Sequence, residues 1–299
     1  MIYRIVHRTT YRYRFPVSLG NHVACLKPRN LPHQRLVRDE LIIAPTPATL
    51  TQRLDYFGNT LCFFTVQEPH RELVVETRSE VEMNGAANGA PGEGNGDETN
   101  LAWEDAVKLV ADGRTPAAAE ACQFSFESPR IRARPEFANY ALQSFTPRRP
   151  MREALIDLTA RIHVDFRFDA KSTNVRTPTE EVFRKKRGVC QDFAHVQIAC
   201  LRSLNLAARY VSGYLRTYPP PGKPRLIGAD ASHAWVSLYC PGVGWIDADP
   251  TNNVIPSEGH VTLAWGRDYG DVSPLRGLIL GGGAHTLKVG VDMEPIESL

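Results

Sequence analysis

A run of glycine and small residues, Asn84-Gly-Ala-Ala-Asn-Gly-Ala-Pro-Gly-Glu-Gly-Asn-Gly96, divides this chain into two stretches with different apolar periodicity. Such a run holds too little apolar surface to offset the entropy of ordering it, and it reads as a flexible linker over 84–100. Before it, over 1–83, the signals are those of strands. Tyr3, Ile5 and His7 alternate with Arg4 and Val6, and Leu41-Ile-Ile, Leu61-Cys-Phe-Phe-Thr-Val and Leu73-Val-Val-Glu-Thr are short β-prone runs. Turn residues at Pro28-Arg-Asn, Pro45-Thr-Pro and Phe57-Gly-Asn separate them. An all-β N-terminal domain is therefore expected over 1–83.

After the linker the period changes to that of helices, at Leu101 to Ala111, Pro135 to Gln143 and Met151 to Val164, where Met151, Leu155, Leu158 and Ile162 share one face. A further helix is expected from Cys190 to Asn205. Strands are expected at Ala208 to Leu215, His233 to Tyr239 and Trp245 to Asp249, the last two joined by the turn Pro241-Gly-Val-Gly. Gly281-Gly-Gly is a loop signal without the spacing of a phosphate-binding motif. Helices followed by sheet make 101–299 an α+β unit. With 299 residues the chain is long enough for about two domains and a sizeable core.

Composition excludes several classes. Basic and acidic side chains number 35 and 33, a formal charge of +2, which implies no large nucleic-acid or membrane footprint. The N-terminus carries charges where a secretory signal needs an apolar stretch, so a cytoplasmic location is expected. Six scattered cysteines without CxxC pairs argue against a disulfide framework or zinc knuckle, and no His/Cys/Asp group has metal-ligand spacing; no metal or cofactor is expected. The run Arg184-Lys-Lys-Arg187 reads as a solvated face.

The chemistry concentrates in three places. In Arg187-Gly-Val-Cys190-Gln191-Asp192-Phe193 a glycine turn feeds a cysteine at the start of an amphipathic helix, where unpaired N–H groups and the helix dipole favour thiolate over thiol. A thiolate that opens an amide needs a group to return a proton to the leaving amine, and histidine titrates in the right range. His195 lies five residues on, rotated by about 140° around the helix, and points elsewhere. His233 opens a strand whose period-two face also carries Trp235, Ser237 and Tyr239. Trp245-Ile-Asp247-Ala-Asp249-Pro250 on the next strand supplies a carboxylate to hold the imidazole. The turn sets a register with Trp235 opposite Asp249 and His233 opposite Thr251, which brings Asp249 within diagonal reach of His233; Asp247 is the fallback.

Gly188-Val-Cys-Gln-Asp-Phe-Ala, Ser232-His-Ala-Trp and Gly244-Trp-Ile-Asp-Ala-Asp-Pro-Thr-Asn resemble, in order, the three signature blocks of the transglutaminase-like superfamily. His7-Arg-Thr-Thr-Tyr-Arg-Tyr, Asp55-Tyr-Phe-Gly-Asn and Glu68-Pro-His resemble the bacterial transglutaminase-like N-terminal region, and Gly266-Arg-Asp-Tyr-Gly-Asp-Val-Ser-Pro the same subgroup. The resemblance implies a papain-like α+β core behind an all-β domain, with Cys190 as nucleophile, His233 as base and Asp249 as orienting acid. It implies cysteine-dependent cleavage or transfer at amide bonds of a peptide or protein through a thioester, as a peptidase or amidase or as a transglutaminase with an amine acceptor. Hydrolysis is favoured, because water is always present and no amine site is recognisable. A peptide-binding module without turnover is the reading of another class. Trp235, Gln191 and Tyr214 are the candidate cleft residues.

Overall fold

The computed structural model describes residues 1–84, 101–217 and 231–296, so the expected linker over 84–100 lies, apart from Asn84, outside them. Its N-terminal part is β1 (Ile2–Ala24), β2 (Gln34–Ala44), β3 (Thr49–Leu54), β4 (Thr60–Val66) and β5 (His70–Met83). Helices follow as α1 (Trp103–Asp112), α2 (Pro116–Cys122), α3 (Pro135–Ala141) and α4 (Met151–Asp165). Then come β6 (Arg167–Phe168), α5 (Thr179–Lys185), β7 (Arg187–Gly188) and α6 (Cys190–Arg202). The chain continues through β8 (Ala208–Leu215), β9 (Ala231–Cys240), β10 (Gly244–Ala248), β11 (His260–Gly266), α7 (Tyr269–Val272), β12 (Leu275–Gly281) and β13 (His285–Ile296).

The alternation read from the sequence holds along β1: Tyr3, Ile5, His7 and Thr9 are buried while Arg4 and Arg8 are exposed. This strand is the spine of a seven-stranded antiparallel sheet among the described residues. Its first half pairs with β5 and β13, and its second half with β4 and β12. The pairing with β5 shifts between Arg12 and Val17, where Pro16 has no N–H to give to a ladder.

The sequence reading placed 101–299 in one catalytic unit, and β12 and β13 depart from it. Ile2 pairs with Ile296 and Tyr13 with His285, so the C-terminal strands complete the N-terminal sheet. Gly281, Gly282 and Gly283 all have positive φ and turn the chain from β12 into β13, consistent with the loop signal. One core runs across both parts: Tyr3, Ile5, Val81, Val291 and Met293 pack in the same cluster as α4, α6, β8 and β9.

The second sheet has the order β10-β9-β8-β11, all antiparallel, with α6 against β9 and β8. Trp245 pairs with Tyr239 and Ala248 with Val236, the register expected from the turn. The expected helix through Asn205 stops at Arg202, and Asn205 takes a left-handed φ of 61°. Helix α2 was not anticipated, although Thr115 caps it by accepting from the Ala118 N–H and Pro116 opens it. Lys186 is not fully solvated as the charge run suggested, since its ammonium sits 3.7 Å from the Phe183 ring centroid. No helix among the described residues is long and apolar enough to cross a membrane.

Candidate active site

The start of α6 is fixed by Asp192. Its Oδ2 accepts the Val189 N–H at 2.9 Å and the Thr173 hydroxyl at 2.6 Å, closing the turn before the helix. Gly188 leaves room for that carboxylate; a Cβ there would lie 2.6 Å from Asp192 Oδ2 and 2.7 Å from its Cβ. The first helical hydrogen bonds run from the Asp192 and Phe193 N–H groups to the Val189 carbonyl, so the Cys190 and Gln191 N–H groups precede the ladder at the open end of α6. Cys190 is half-buried there, whereas Cys25, Cys62, Cys200 and Cys240 are buried, and all six cysteines are free thiols. Burial pushes the Cys25 and Cys200 thiols up to about 12 and Cys240 to about 11.

His233, at the start of β9, lines the same cavity as Cys190, whose sulfur helps to raise the imidazole's pKa. Its Nε2 lies 2.8 Å from Asp249 Oδ2, so Nδ1 is the ring nitrogen not engaged by that carboxylate. Burial opposes charge on this imidazole, but the hydrogen bond to Asp249 and the Cys190 sulfur outweigh it and raise its pKa to about 10. Asp249 is itself wholly buried. Burial would push its carboxyl up, yet hydrogen bonds from His233, His260 and Asn252 hold it well below the usual carboxylate range. Oδ2 accepts from Asn252 Nδ2 at 2.7 Å and meets His260 Nε2 at 3.2 Å, while Oδ1 accepts the Thr251 and Asn252 N–H groups at 2.9 and 3.2 Å. Thus a strand-ending Asp-Pro becomes a carboxylate cage.

Asp247 points elsewhere, accepting the Trp235 indole N–H at 3.1 Å. Trp235 is accordingly buried behind His233, and Tyr214 is buried as well. Neither of these expected cleft residues lines the cavity beside Cys190, whereas Gln191 does. That cavity measures about 330 Å³ and opens between α6 and the N-terminal sheet. Cys190, Gln191, Tyr210, Ser212, His233 and Tyr269 form one wall. His7, Thr9 and Tyr11 from β1, with Leu275, Leu287 and Val289 from β12 and β13, form the other. Tyr214 supports this second wall from behind, its hydroxyl 3.0 Å from His7 Nδ1. His195 is buried and accepts the Tyr269 N–H at 3.2 Å, as a packing histidine would.

His260 and the β1/β13 wall were not legible as site residues. No local spacing links His260 to His233; a strand reversal and the β8–β11 pairing bring them together. Among the described residues, His233, Asp249 and His260 are also a group able to offer three metal-ligand atoms, all within 4.8 Å of one another. Those atoms are already committed to the His233–Asp249 and His260–Asp249 hydrogen bonds.

Residues 3–82 match the family model described as the bacterial transglutaminase-like N-terminal region, and residues 139–250 that of the transglutaminase-like superfamily. An uncharacterized protein of Mycobacterium tuberculosis is 40% identical over 300 residues, spanning 99% of this chain and 93% of that protein. One from Mycobacterium leprae is 30% identical over 97% of each. A protein-glutamine gamma-glutamyltransferase of Pseudomonas aeruginosa is 34% identical over 76 residues, 25% of this chain and 11% of that protein. A crystal structure from Cytophaga hutchinsonii, described as a candidate cysteine protease, has a TM-score of 0.75 at 19% identity over 100% of this chain and 92% of the other.

Proposed function

From the premise that this chain belongs to the transglutaminase-like superfamily, whose chemistry is cysteine-dependent at amide bonds, we propose that it is a hydrolase acting on peptide or side-chain amides with Cys190, His233 and Asp249 as its triad. The observation that carries this reading is the chain of contacts from the Cys190 thiol through the His233 imidazole to the buried Asp249 carboxylate, opening onto a cavity. The Cys190 thiolate attacks the carbonyl carbon, and the N–H groups at the start of α6 face the developing oxyanion. The C–N bond breaks as the His233 imidazolium gives its Nδ1 proton to the departing nitrogen, leaving a thioester. Water then attacks, His233 takes its proton, and the thiolate leaves with release of the acid. Asp249 holds the imidazole by Nε2 throughout.

Transfer to an amine instead of water is the second reading, favoured by the short match to the Pseudomonas aeruginosa glutamyltransferase. Activated acyl esters, followed by intact-mass measurement with and without an added primary amine, separate the two. A thioester adduct on wild type that is absent in Cys190→Ala, with acid as the final product even in excess amine, supports hydrolysis; amide as the main product overturns it in favour of transfer. Peptide binding without any adduct would make the chain a binding module.

A further inference from the structure

The cavity beside Cys190 is walled on its far side by strands of the N-terminal sheet, and the character of that wall bears on what it accepts. Among the described residues no Asp, Glu, Lys or Arg lines it. Apart from the Cys190–His233 pair itself, its polar groups are neutral, among them Gln191, Tyr210, Ser212, Tyr269 and Thr9. His7 has both ring nitrogens occupied, Nδ1 at 3.0 Å from the Tyr214 hydroxyl and Nε2 at 3.0 Å from Thr9 Oγ1. Burial lowers its pKa to about 4, so it adds no positive charge near neutrality. Leu287 and Val289, 54% and 47% exposed on β13, present aliphatic surface to the same space. A charged side chain entering here would lose water and meet no counter-charge outside the Cys190–His233 pair, whose two charges offset one another, whereas an aliphatic or aromatic one would bury apolar area. About 330 Å³ suffices for one large side chain and its flanking backbone.

We propose that this cavity is an acyl-side pocket selective for a neutral, largely apolar side chain, and that Val289 and Leu287 on β13 are its specificity-determining residues. The inference rests on Cys190 as the nucleophile. It makes the C-terminal strands part of substrate selection, though they lie far from the triad in sequence.

Affinity labelling tests this without turnover. Chloromethyl ketones of phenylalanine, leucine, lysine and glutamate each alkylate a thiolate, forming a C–S bond as chloride leaves, and the adduct is read by intact mass on the full chain. The phenylalanine and leucine reagents should label Cys190 at least about tenfold faster than the lysine and glutamate reagents. Val289→Lys should raise the rate of the glutamate reagent several-fold and Val289→Asp that of the lysine reagent, with Leu287→Lys as a second anionic-selective variant. Equal rates for charged and neutral reagents on wild type, or an unchanged order in all three variants, would overturn the pocket. Iodoacetamide, too small to need it, keeps the two readings apart: if it leaves Cys190 untouched, the nucleophile assignment fails and this inference with it. If it labels Cys190 while the four ketones react alike, the pocket alone fails.

Discussion

Asp247 and Asp249 lie two residues apart on one strand face, yet their surroundings give them different tasks. The Asp249 carboxylate makes five hydrogen bonds to four residues and holds His233, while Asp247 holds the Trp235 indole. Asp249→Ala should lower turnover by orders of magnitude, about 10⁴-fold where the imidazole loses its orienting acid. Asp247→Ala should act mainly on stability. The pH profile adds a sharper test. His233 is raised to about 10, so the alkaline limb, where the leaving amine loses its proton donor, should sit far above the ordinary 6.5. In Asp249→Ala burial is left with less to oppose it, and the limb should move to lower pH. Stability has the opposite end. Because the folded pKa of Asp249 is depressed below 3.8, its contribution is present above that value and is lost as pH falls towards the folded one, at up to about 1.4 kcal/mol per pH unit. Urea denaturation between pH 7 and pH 3 should show a steeper acid loss for wild type than for Asp249→Asn. The cluster of His233, Asp249 and His260 predicts a further asymmetry: EDTA should leave activity intact, and added zinc, competing for the nitrogen and oxygen atoms that orient the imidazole, should depress it until chelated. A loss of activity in EDTA, restored by zinc, would count against the mechanism.

Helix α6 shows how much can be read from a short stretch of sequence. Its glycine entry and amphipathic run are local, and so was the register of the β9–β10 hairpin that put Asp249 near His233, because a tight turn propagates alignment by simple counting. What could not be read were elements whose reason is tertiary. Strand β13 carries few buried residues and no strict alternation, since much of it is exposed and its partner lies at the other end of the chain. The cleft candidates divide likewise: Gln191, one residue from the nucleophile, lines the cavity, whereas Trp235 and Tyr214 turned into the core where bulky rings bury most area. Gly213 explains the Trp235 case, because any Cβ there would lie 2.4 Å from the indole. Since only Cys190 pairs a helix start with a histidine partner, iodoacetamide at mildly acidic pH should modify it ahead of Cys25, Cys62, Cys200 and Cys240. Gly188→Ala should slow that labelling several-fold and lower the melting temperature, because the added methyl displaces Asp192 from the helix entrance.

At the scale of the molecule, the sheet and the helical part share a core and a cavity, and the His7–Tyr214 hydrogen bond joins β1 to β8 directly. Tyr214→Phe should therefore lower the affinity for acyl reagents more than the reactivity of Cys190 towards iodoacetamide, a split measured by comparing the two labelling rates. The spine itself has a consequence in time. Pairing Ile2 with Ile296 means that one edge of β1 must wait for β13 while everything between is synthesised. At about 5–20 residues per second, the interval from β5 to β12 lasts on the order of tens of seconds. During it a long strand edge stands open on the nascent chain, the kind of surface on which chains join one another. Arg4, Arg8, Arg12 and Arg14, all exposed along β1, line that waiting strand with charged side chains. Arg4, Arg8 and Arg12 pair with Glu80, Glu76 and Glu72 on β5, which is already made when the wait begins. The same delay keeps the far wall of the cavity incomplete until β13 brings Leu287 and Val289, so a ribosome-bound chain would carry its thiol before it carried its selectivity.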